Sequence, residues 1–334
     1  MAYFLGCDVS KRKLDLCLVE GFGAEVWAGQ VANEEMAIAE LLLTLTGSYS
    51  DVTCVVEATS SYHIAFAETA HAVGLPCLVF NPILTRQQIK ATVRGKKTDK
   101  TDALMIARLG LRGEGRQYVP ETYRTTKYLA RGRWRIGELA GALKRYESHL
   151  DSLLGGEPNE GIMDTLKEMH KAFKIAERRF EKEMTAATPN DLSERLQTIP
   201  GVGPFIAASV IGEIQDMHRF RSSKELIAFA GLDPRVKQNG HTLNVTGRLT
   251  KRGSHYLRHS LFLAASVARQ HDPNFKALYD KKRAEGKSYT VAVCVVARKL
   301  LAVMRAMWLS EERYDLCRAT VNHETLNNRC STMS

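Results

Sequence analysis

Two short apolar runs near the start of the chain each finish on an acid, and this feature constrains the fold more than any other. Residues 3–9 read Tyr-Phe-Leu-Gly-Cys-Asp-Val, with Asp8 next to the end, and residues 52–57 read Val-Thr-Cys-Val-Val-Glu, ending in Glu57. Continuous apolar runs of this length predict buried strands. A carboxylate at the end of a buried strand needs a cation, a hydrogen-bond donor or water beside it. The two acids are therefore candidates for one site.

The segments between these runs set the order of elements. Residues 14–19 and 25–31 alternate apolar and polar side chains, which predicts two more strands in an antiparallel meander. Residues 33–45 have the spacing of an amphipathic helix, with Asn33 predicted as its N-cap. Three strands, a helix and a fourth strand match the layout of a ribonuclease H-like domain, in which the first and fourth strands lie side by side. That layout predicts that the two strand-end acids meet.

A second pair of acids follows in Lys97-Thr98-Asp99-Lys100-Thr101-Asp102. On a helix, Asp99 and Asp102 share one face of the first turn, with Thr98 as the predicted N-cap. Alone, this pattern predicts a well-capped surface helix. Together with the two strand-end acids it predicts a cluster of four carboxylates, whose hard oxygen ligands favour Mg²⁺ or Mn²⁺. Two such ions clamp both oxygens of a phosphodiester displacement.

The middle of the chain predicts a helical stalk. Residues 123–195 are charged and helical in pattern, and a glycine-rich break interrupts them at residues 155–161. Two antiparallel helices forming a stalk or coiled coil fit this pattern. A solvated spacer between two domains is the alternative interpretation, and the two are compatible.

A second compact domain begins near residue 196 with a glycine-rich turn. Ile199-Pro200-Gly201-Val202-Gly203 predicts a hairpin between two helices, in which Gly201 and Gly203 present bare backbone N–H groups to phosphate, as in a helix-hairpin-helix segment. A plain tight turn between helices is the alternative.

A basic loop is predicted after residue 234. The predicted nucleic-acid-binding side chains there are Arg235, Lys237, Arg248, Lys251, Arg252 and Arg258. They are interleaved with His241, His255, Tyr256 and His259, a mixture that suits phosphates together with stacked or single-stranded bases. A solvated basic loop without a ligand is the alternative.

Composition narrows the class of partner and the compartment. The 334 residues carry a net charge of +10, which favours an anionic partner, first of all nucleic acid. The seven cysteines lack CxxC spacing, which favours reduced thiols over a zinc site or a disulfide framework. Residues 1–8 lack the pattern of a signal peptide, and basic residues interrupt the apolar stretch 291–309. We therefore expect a cytoplasmic protein with no membrane partner.

Seven segments together resemble the transposases of the insertion-sequence-110 family, the group that includes the Piv-type DNA invertases and the bridge-RNA-guided recombinases. They extend over nearly the whole chain: Gly6-Cys7-Asp8-Val9-Ser10-Lys11, Val56-Glu57-Ala58-Thr59-Ser60-Ser61-Tyr62, Asn81-Pro82, Lys97-Thr98-Asp99-Lys100-Thr101-Asp102-Ala103, Ile199-Pro200-Gly201-Val202-Gly203, Ala230-Gly231-Leu232-Asp233-Pro234-Arg235 and Thr250-Lys251-Arg252-Gly253.

The resemblance implies an α/β + α protein in four parts. These are a ribonuclease H-like (RuvC-like) domain over 1–122, a coiled-coil dimerisation stalk over 123–195, a mainly helical C-terminal transposase domain over 196–318 and a flexible tail over 319–334. It implies that four acids are catalytic and bind divalent metal: Asp8, Glu57, Asp99 and Asp102. It also implies DNA as substrate, a structured guide RNA, a homo-oligomer (dimer or tetramer), and a nucleoid-associated protein of a bacterial or archaeal cytoplasm.

One position departs from the family pattern. Where the resemblance places a nucleophilic serine in a Ser-Gly pair, this chain has Asn239-Gly240. A carboxamide cannot form the phosphoester that a hydroxyl forms. Thr242 is the nearest hydroxyl that would substitute, and Thr246, Thr250 and Ser254 lie beyond it. Because Asn-Gly is a turn signal, we predict that Asn239 lies on a loop tip, and from the local sequence alone a plain hairpin residue is the alternative. The resemblance, which places the family nucleophile at this position, implies that Asn239 faces the acid cluster, within one protomer or across an oligomer interface.

Three functions remain open from the sequence. The leading one is a transposase or site-specific recombinase that cleaves and exchanges DNA strands with metal. The second is a RuvC-type metal-dependent junction nuclease, in which the acids activate water and no hydroxyl nucleophile is needed. The third is a catalytically silent DNA- or RNA-binding regulator.

Overall fold

The computed structural model divides the chain into two compact units, Met1–Pro120 and Glu121–Ser334. The residues that the structure describes are 1–58, 61–82, 99–113, 115–153, 160–239, 242–251 and 253–316, without the side chains of 99–100, 160 and 235–248. The predicted cap Thr98 and the predicted tail over 319–334 lie outside the described residues. The division into four parts stays a prediction.

The first unit is built on a six-stranded sheet in the order β3-β2-β1-β4-β5-β6. Its strands are β1 (Tyr3–Val9), β2 (Lys13–Glu20), β3 (Glu25–Ala32), β4 (Val52–Glu57), β5 (Cys77–Phe80) and β6 (Arg116–Gln117). β2 runs antiparallel to β1 and β3, whereas β1, β4 and β5 are parallel. This is the ribonuclease H-like arrangement, so the predicted fold class and the adjacency of the first and fourth strands are confirmed.

Helices cover both faces of this sheet: α1 (Glu35–Ser48), α2 (His63–Ala72) and α3 (Asp99–Leu111). Side chains alternate between the two faces along each strand. Leu5 and Cys7 of β1 are buried in one core with residues of α1 and α2. Residues on the opposite face of β2, including Cys17, pack against Ala103 and Ala107 of α3. The sheet is thus a middle layer between α1 with α2 on one side and α3 on the other.

Asn33 does not cap α1, contrary to the sequence prediction. The helix begins at Glu35 and its N-cap residue is Glu34. The Asn33 side-chain amide instead donates to the backbone carbonyls of Ser10, at 3.0 Å, and Tyr62, at 3.2 Å. The amide therefore ties the turn after β1 to the residue preceding α2. A long-range role of this kind leaves no local signal in the sequence.

The second unit is mainly helical. Its elements are α4 (Arg124–Leu153), α5 (Glu160–Ala187), α6 (Asn190–Gln197), α7 (Pro204–Ile214), α8 (Ser223–Phe229), β7 (Pro234–Asn239), β8 (Thr242–Leu249), α9 (His255–His271), α10 (Pro273–Ala284) and α11 (Tyr289–Ser310). α4 and α5 pair along their length with opposite directions, because Arg133 meets Glu181 while Glu147 meets His170. None of the described helices is long and apolar enough to cross a membrane.

The predicted basic loop is instead a β-hairpin. β7 and β8 pair antiparallel from Pro234 opposite Leu249 to Asn239 opposite Thr242. Asn239 is consequently the last residue of β7 rather than a loop residue. Leu243 and Val245 alternate with polar residues, a period of two that favours a strand.

Candidate active site

Strand β1 and helix α3 approach each other closely at Gly6. A Cβ atom on Gly6 would overlap the carbonyl oxygen of Ala103 and the backbone nitrogen of Ala107. Only a glycine lets a helix lie this near to a strand. Glycine at this position of the first strand therefore fixes the distance between the sheet and the helix that carries Asp99 and Asp102.

The direction of α3 follows from a second contact. Near its other end, a Cβ on Gly110 would meet Phe4 and Val55, whereas Ala103 and Ala107 lie at Gly6. The helix thus runs antiparallel to β1, with higher helix numbers against lower strand numbers. Its first turn, with Asp99 and Asp102, points toward the ends of β1 and β4, where Asp8 and Glu57 are found.

Register places a row of polar residues across this end of the sheet. Cys7 of β1 is the partner of Val56 in β4, and the two strands are parallel. The next residues along them, Asp8 and Glu57, are therefore neighbours on adjacent strands. On the other side, Asp8 is the partner of Asp15 in β2. Because Gly6 faces α3 and side chains alternate, Asp8 faces α3 as well. We call the α3-facing side of the sheet at Glu57, Asp8 and Asp15 the acid face.

Asp15 is the member of this row that sequence reasoning missed. The residue is 3% exposed, its carboxylate pairs with Lys13 at 3.0 Å, and it accepts a hydrogen bond from Gln30 of β3. The available signal was a lone acid in the otherwise apolar run of β2. The spacing from Asp8 to Asp15 is meaningful only once the turn between β1 and β2 sets the register.

Carboxylate oxygens, the donors that these elements carry, are the ligand type that a hard divalent cation takes. Asp8, Glu57 and Asp102 are each half-buried, and each makes interactions within the protein. Among the residues that the structure describes, no three His, Cys, Asp or Glu side chains form a group able to hold a metal ion. The Asp99 side chain is outside that set, and convergence of the four acids stays a prediction.

In the second unit, two glycine-containing motifs meet at the base of the hairpin. A Cβ on Gly253 would overlap the Phe229 carbonyl oxygen and the Gly231 backbone nitrogen. Asp233 accepts hydrogen bonds from both the backbone and the side chain of Thr250. The two ends of the β7–β8 hairpin are therefore clamped together. The motifs are close in space although about twenty residues separate them in sequence.

The tip of the hairpin carries the two candidate nucleophile positions. Asn239 and Thr242 are paired across it, and the residues between them lie outside the description, as do both side chains. A strand of this length puts the tip on the order of 20 Å from the clamped base. That Asn239 faces the acid cluster stays a prediction.

Two of the more distant hydroxyls are already engaged in structural hydrogen bonds. Thr250 donates to the Asp233 carboxylate. Ser254 caps α9 by accepting from Leu257 N at 3.1 Å, and its hydroxyl donates to Glu213 at 2.8 Å. Neither hydroxyl is free to act as a nucleophile without breaking these bonds, so Thr242 and Thr246 remain the nearer candidates.

Glu213 is a buried carboxylate that joins three elements. It is 4% exposed on α7, and Arg131 of α4 reaches it with two nitrogens, one of them at 3.0 Å from Oε2. The Arg131 guanidinium also lies 4.6 Å from the ring centroid of Tyr256 on α9. Bidentate pairing and stacking together fix α4 against the start of α9.

The predicted basic contacts occupy different environments. Arg258 donates to the Ala230 carbonyl at 3.2 Å and lies against Gly231, and burial lowers the pKa of its guanidinium. Lys251 is exposed and has a left-handed backbone, with φ of 54°. The side chains of Arg235, Lys237, Arg248 and Arg252 lie outside the described residues.

The glycine-rich turn is confirmed as a hairpin between two helices, α6 and α7. Gly201 has a positive φ, and a Cβ there would collide with the backbone of α9 at Ala264 and Ala268. Its open side is therefore covered by a helix. Gly203 is the N-cap of α7 and has free space around it. The turn thus has a packing role at Gly201, and phosphate binding stays a prediction for both glycines.

An aromatic cluster that sequence reasoning missed joins α4 to α9. The ring of Trp134 lies 4.8 Å from His255, 5.0 Å from Tyr256 and 5.9 Å from His259, in edge-to-face geometry. Burial and the neighbouring His255 lower the pKa of His259, whereas Glu138 acts in the opposite direction. No local pattern around Trp134 predicts this contact, because α4 and α9 are far apart in the sequence.

Comparison with known proteins defines the class of protein as a transposase. One family model, "Transposase IS116/IS110/IS902 family", matches residues 193–280, and a second transposase model, of the DEDD type of IS110, matches residues 5–154. Together they account for well over half of the chain. The chain belongs to the IS116/IS110/IS902 family of transposases.

Individual relatives extend over nearly the full length. The "Pilin gene-inverting protein" of Moraxella bovis is 24% identical, covering 93% of this chain and 97% of that protein. The "Transposase for insertion sequence element IS1111A" of Coxiella burnetii is 27% identical, covering 93% and 90%. Among solved structures, Thermus thermophilus RuvC in complex with a Holliday junction matches 35% of this chain and all of that chain, with 15% identity and a TM-score of 0.29.

Proposed function

We propose that this chain is a DNA transposase or site-specific recombinase whose catalytic acids, Asp8, Glu57, Asp99 and Asp102, hold Mg²⁺ or Mn²⁺. The observation that carries the proposal is the direction of α3. Because the helix runs antiparallel to β1, its acidic first turn and the acid ends of β1 and β4 belong to the same end of the layer. Family membership and the printed names of the relatives support DNA as the substrate.

The chain supplies the site in two ways. Asp8 and Glu57 are set by the register of a sheet, so their spacing is rigid. Asp99 and Asp102 are carried by a helix whose backbone lies directly against Gly6, where a side chain would hold it farther away. When bound, a divalent cation stabilises the charge that develops on a phosphodiester as it is cut. Asp102→Asn is expected to abolish cleavage while leaving the fold intact.

Two other functions, a nuclease and a binding regulator, are also compatible with an asparagine at position 239, where the family pattern has a serine. A nuclease needs only water activated at the acids, and a regulator needs only binding. The three functions differ in one product. A recombinase forms a covalent protein–DNA adduct, a nuclease cleaves without one, and a regulator does neither.

The experiment is an adduct-trapping assay on the full-length protein with end-labelled DNA and Mn²⁺. If the tip of the hairpin supplies the nucleophile, Asn239→Ser creates or strongly increases the adduct. If Thr242 already serves, Thr242→Ala removes it and Asn239→Ser adds little. Asn244→Ser makes the same exchange within β8, away from the tip, and is the matched control. Cleavage without an adduct in every variant establishes the nuclease function instead.

A structured guide RNA is proposed on the family resemblance and the basic composition. If the chain works with RNA, protein purified from its natural host retains a discrete RNA species that resists washing at moderate salt. A heterogeneous pool that exchanges freely with competitor RNA would contradict guidance. DNA flanking the gene should then contain the matching structured segment.

We also propose that the protein is a homo-oligomer assembled through α4 and α5. Leu139, Tyr146 and Leu153 recur at intervals of seven on α4 and are 43%, 54% and 68% exposed. Ile162 and Met169 repeat the same interval on α5. Seven-residue apolar spacing is the pattern of a coiled-coil seam. Light scattering should show a smaller mass for Tyr146→Glu than for the neighbouring surface change Lys144→Glu.

A further inference from the structure

A basic and aromatic surface lies where α10 turns into α11, outside the segments to which the sequence analysis assigned nucleic-acid binding. We call residues 276–289 the α10–α11 corner. Its five basic residues outnumber its two acids, Asp280 and Glu285. The corner packs on the end of α9, a helix of 17 residues and therefore about 25 Å long, whose start lies beside the hairpin base. It is thus a separate surface, and its charge favours an anionic partner.

Most of the cations at the α10–α11 corner have no carboxylate partner. Lys282 pairs with Glu285 at 2.8 Å. Lys281, Arg283 and Lys287 are exposed, and none of them forms an ion pair within the described part of the chain. The hydrogen bond from Lys282 and the neighbouring ammonium groups lower the pKa of Glu285. One acid therefore faces several cations, and an excess of positive charge remains at the surface.

The backbone of the turn between the two helices is fixed. Gly286 has a φ of 77°, and its N–H donates to the Arg283 carbonyl at 3.0 Å. The N–H of Lys287 donates to the Lys282 carbonyl at 3.1 Å, so α10 ends in a Schellman motif. The Arg283 guanidinium in turn donates to the Lys287 carbonyl at 2.7 Å. The turn therefore holds its cations at set positions along the backbone.

Two tyrosines stand beside these cations. Tyr279 of α10 and Tyr289 of α11 meet edge to face, with ring centroids 6.2 Å apart. The Arg269 guanidinium lies 4.5 Å from the Tyr279 ring centroid and 5.2 Å from that of Tyr289. No carboxylate of the described chain pairs with Arg269, and its buried Nε has no hydrogen-bond partner there, so the rings are its main contacts. Tyr289 is held by these neighbours and is still 42% exposed.

We propose that the α10–α11 corner binds single-stranded nucleic acid, with Lys281 and Lys287 at phosphates and the Tyr289 ring stacked on a base. Charge alone suits any polyanion, whereas an exposed ring among cations suits a strand whose bases are unpaired. The inference rests on the proposed function for nucleic acid as the partner. It adds a surface at the end of α9 that is opposite to Lys251.

The test is fluorescence anisotropy of the full-length protein with labelled oligothymidine in one arm and labelled oligouridine in the other, over a series of salt concentrations. Lys281→Asn and Lys287→Asn should each make the slope of log affinity against log salt shallower by about 0.7, the value for one phosphate of a single strand. Tyr289→Leu should weaken binding by roughly five- to a hundredfold, as for loss of a stacked ring, and leave the slope unchanged.

Two matched variants serve as controls and should bind normally. Lys282→Asn removes an ammonium that Glu285 already neutralises, and Phe22→Leu removes an exposed ring in the first unit. Tighter binding of oligothymidine would identify DNA as the strand, tighter binding of oligouridine would identify RNA, and equal binding would support the shared chemistry of both.

The other outcomes separate this inference from the proposed function. If the unaltered protein binds neither oligomer nor duplex DNA, the nucleic-acid partner of the proposed function fails, and the corner fails with it. If it binds duplex DNA alone, or binds the oligomers as tightly and with the same slope in every variant, only the corner is overturned. Shallower slopes with normal binding in Tyr289→Leu would mean phosphate contacts without stacking, which overturns the assignment to single strands. If Tyr289→Leu does not fold, unchanged slopes in the two exposed lysine variants overturn the proposal.

Discussion

The first unit carries the proposed metal ligands, and the β7–β8 hairpin of the second unit carries the candidate nucleophile positions. The two sets of residues are held in place in different ways. The acids sit on three adjacent elements whose spacing is fixed by strand register and by a helix pressed against Gly6. The hairpin is held at its base, where Gly231 meets Gly253. Asn239 lies at the far end of the strand, with a single cross-strand partner position at Thr242.

The difference predicts where substitutions are tolerated. A change on the acid face disturbs packing, charge balance and chemistry together. We expect a change at Asn239 or Thr242 to affect chemistry more than folding, because both residues lie at the end of the hairpin away from its clamped base.

The largest effect is expected at the acid face. Asp102→Asn should bring metal-dependent DNA cleavage below detection, because a neutral amide is a poor ligand for a hard cation. Circular dichroism and the thermal midpoint should remain those of the unaltered protein. Asp164→Asn, on the exposed side of α5, is the control and should cleave normally. Full activity in Asp102→Asn would show that Asp102 is not part of the metal centre, and would contradict the contrast between the acid face and the hairpin.

The next effect tests the packing of α3 on β1. Gly6→Ala inserts a methyl group where the Ala103 carbonyl already lies, and overpacking of this kind costs about 1–3 kcal/mol. Urea unfolding should therefore show a lower unfolding free energy for Gly6→Ala, and cleavage should fall because the acids separate. Gly47→Ala in α1 meets no neighbour and should instead stabilise by up to about 1 kcal/mol.

A smaller effect is expected beside the hairpin base. If Lys251 binds a phosphate, Lys251→Asn should make the slope of log affinity against log salt shallower by about one unit. Asparagine is chosen because it tolerates the left-handed backbone found at this position. Lys282→Asn, whose ammonium pairs with Glu285, should leave the slope unchanged. Equal salt slopes for the unaltered protein and both variants would show that Lys251 does not bind a phosphate.

The smallest effect concerns pH and the aromatic cluster. The pKa of His259 is lowered in the folded protein by burial and by His255, so the folded state favours the neutral ring. The unfolded chain titrates near 6.5, so this contribution to stability is present above that pH and is lost as pH falls. Thermal midpoints measured from pH 7.5 to 5.5 should fall more for the unaltered protein than for His259→Gln. Parallel curves would mean that another group controls acid stability.

Local patterns in the sequence determined most of the elements and the four acids of the candidate site. Apolar runs and alternation gave the strands, because burial on one or both faces leaves a period that can be counted. Two acids ended such runs, and two opened a helix, so all four could be named as candidates without coordinates. The Asn-Gly pair predicted a loop at Asn239, whereas β7 extends to Asn239 itself, and Gly240 lies outside the described residues.

Contacts between distant residues were decided only by the tertiary structure. Asp15 belongs to the acid face because its register places it opposite Asp8. Asn33 donates hydrogen bonds to Ser10 and Tyr62 instead of capping α1. Trp134 of α4 contacts His255 of α9. Each of these depends on which elements pack together and at what offset. A one-residue shift of register would move Asp15 to the opposite face of the sheet, and no local pattern in the sequence fixes that offset.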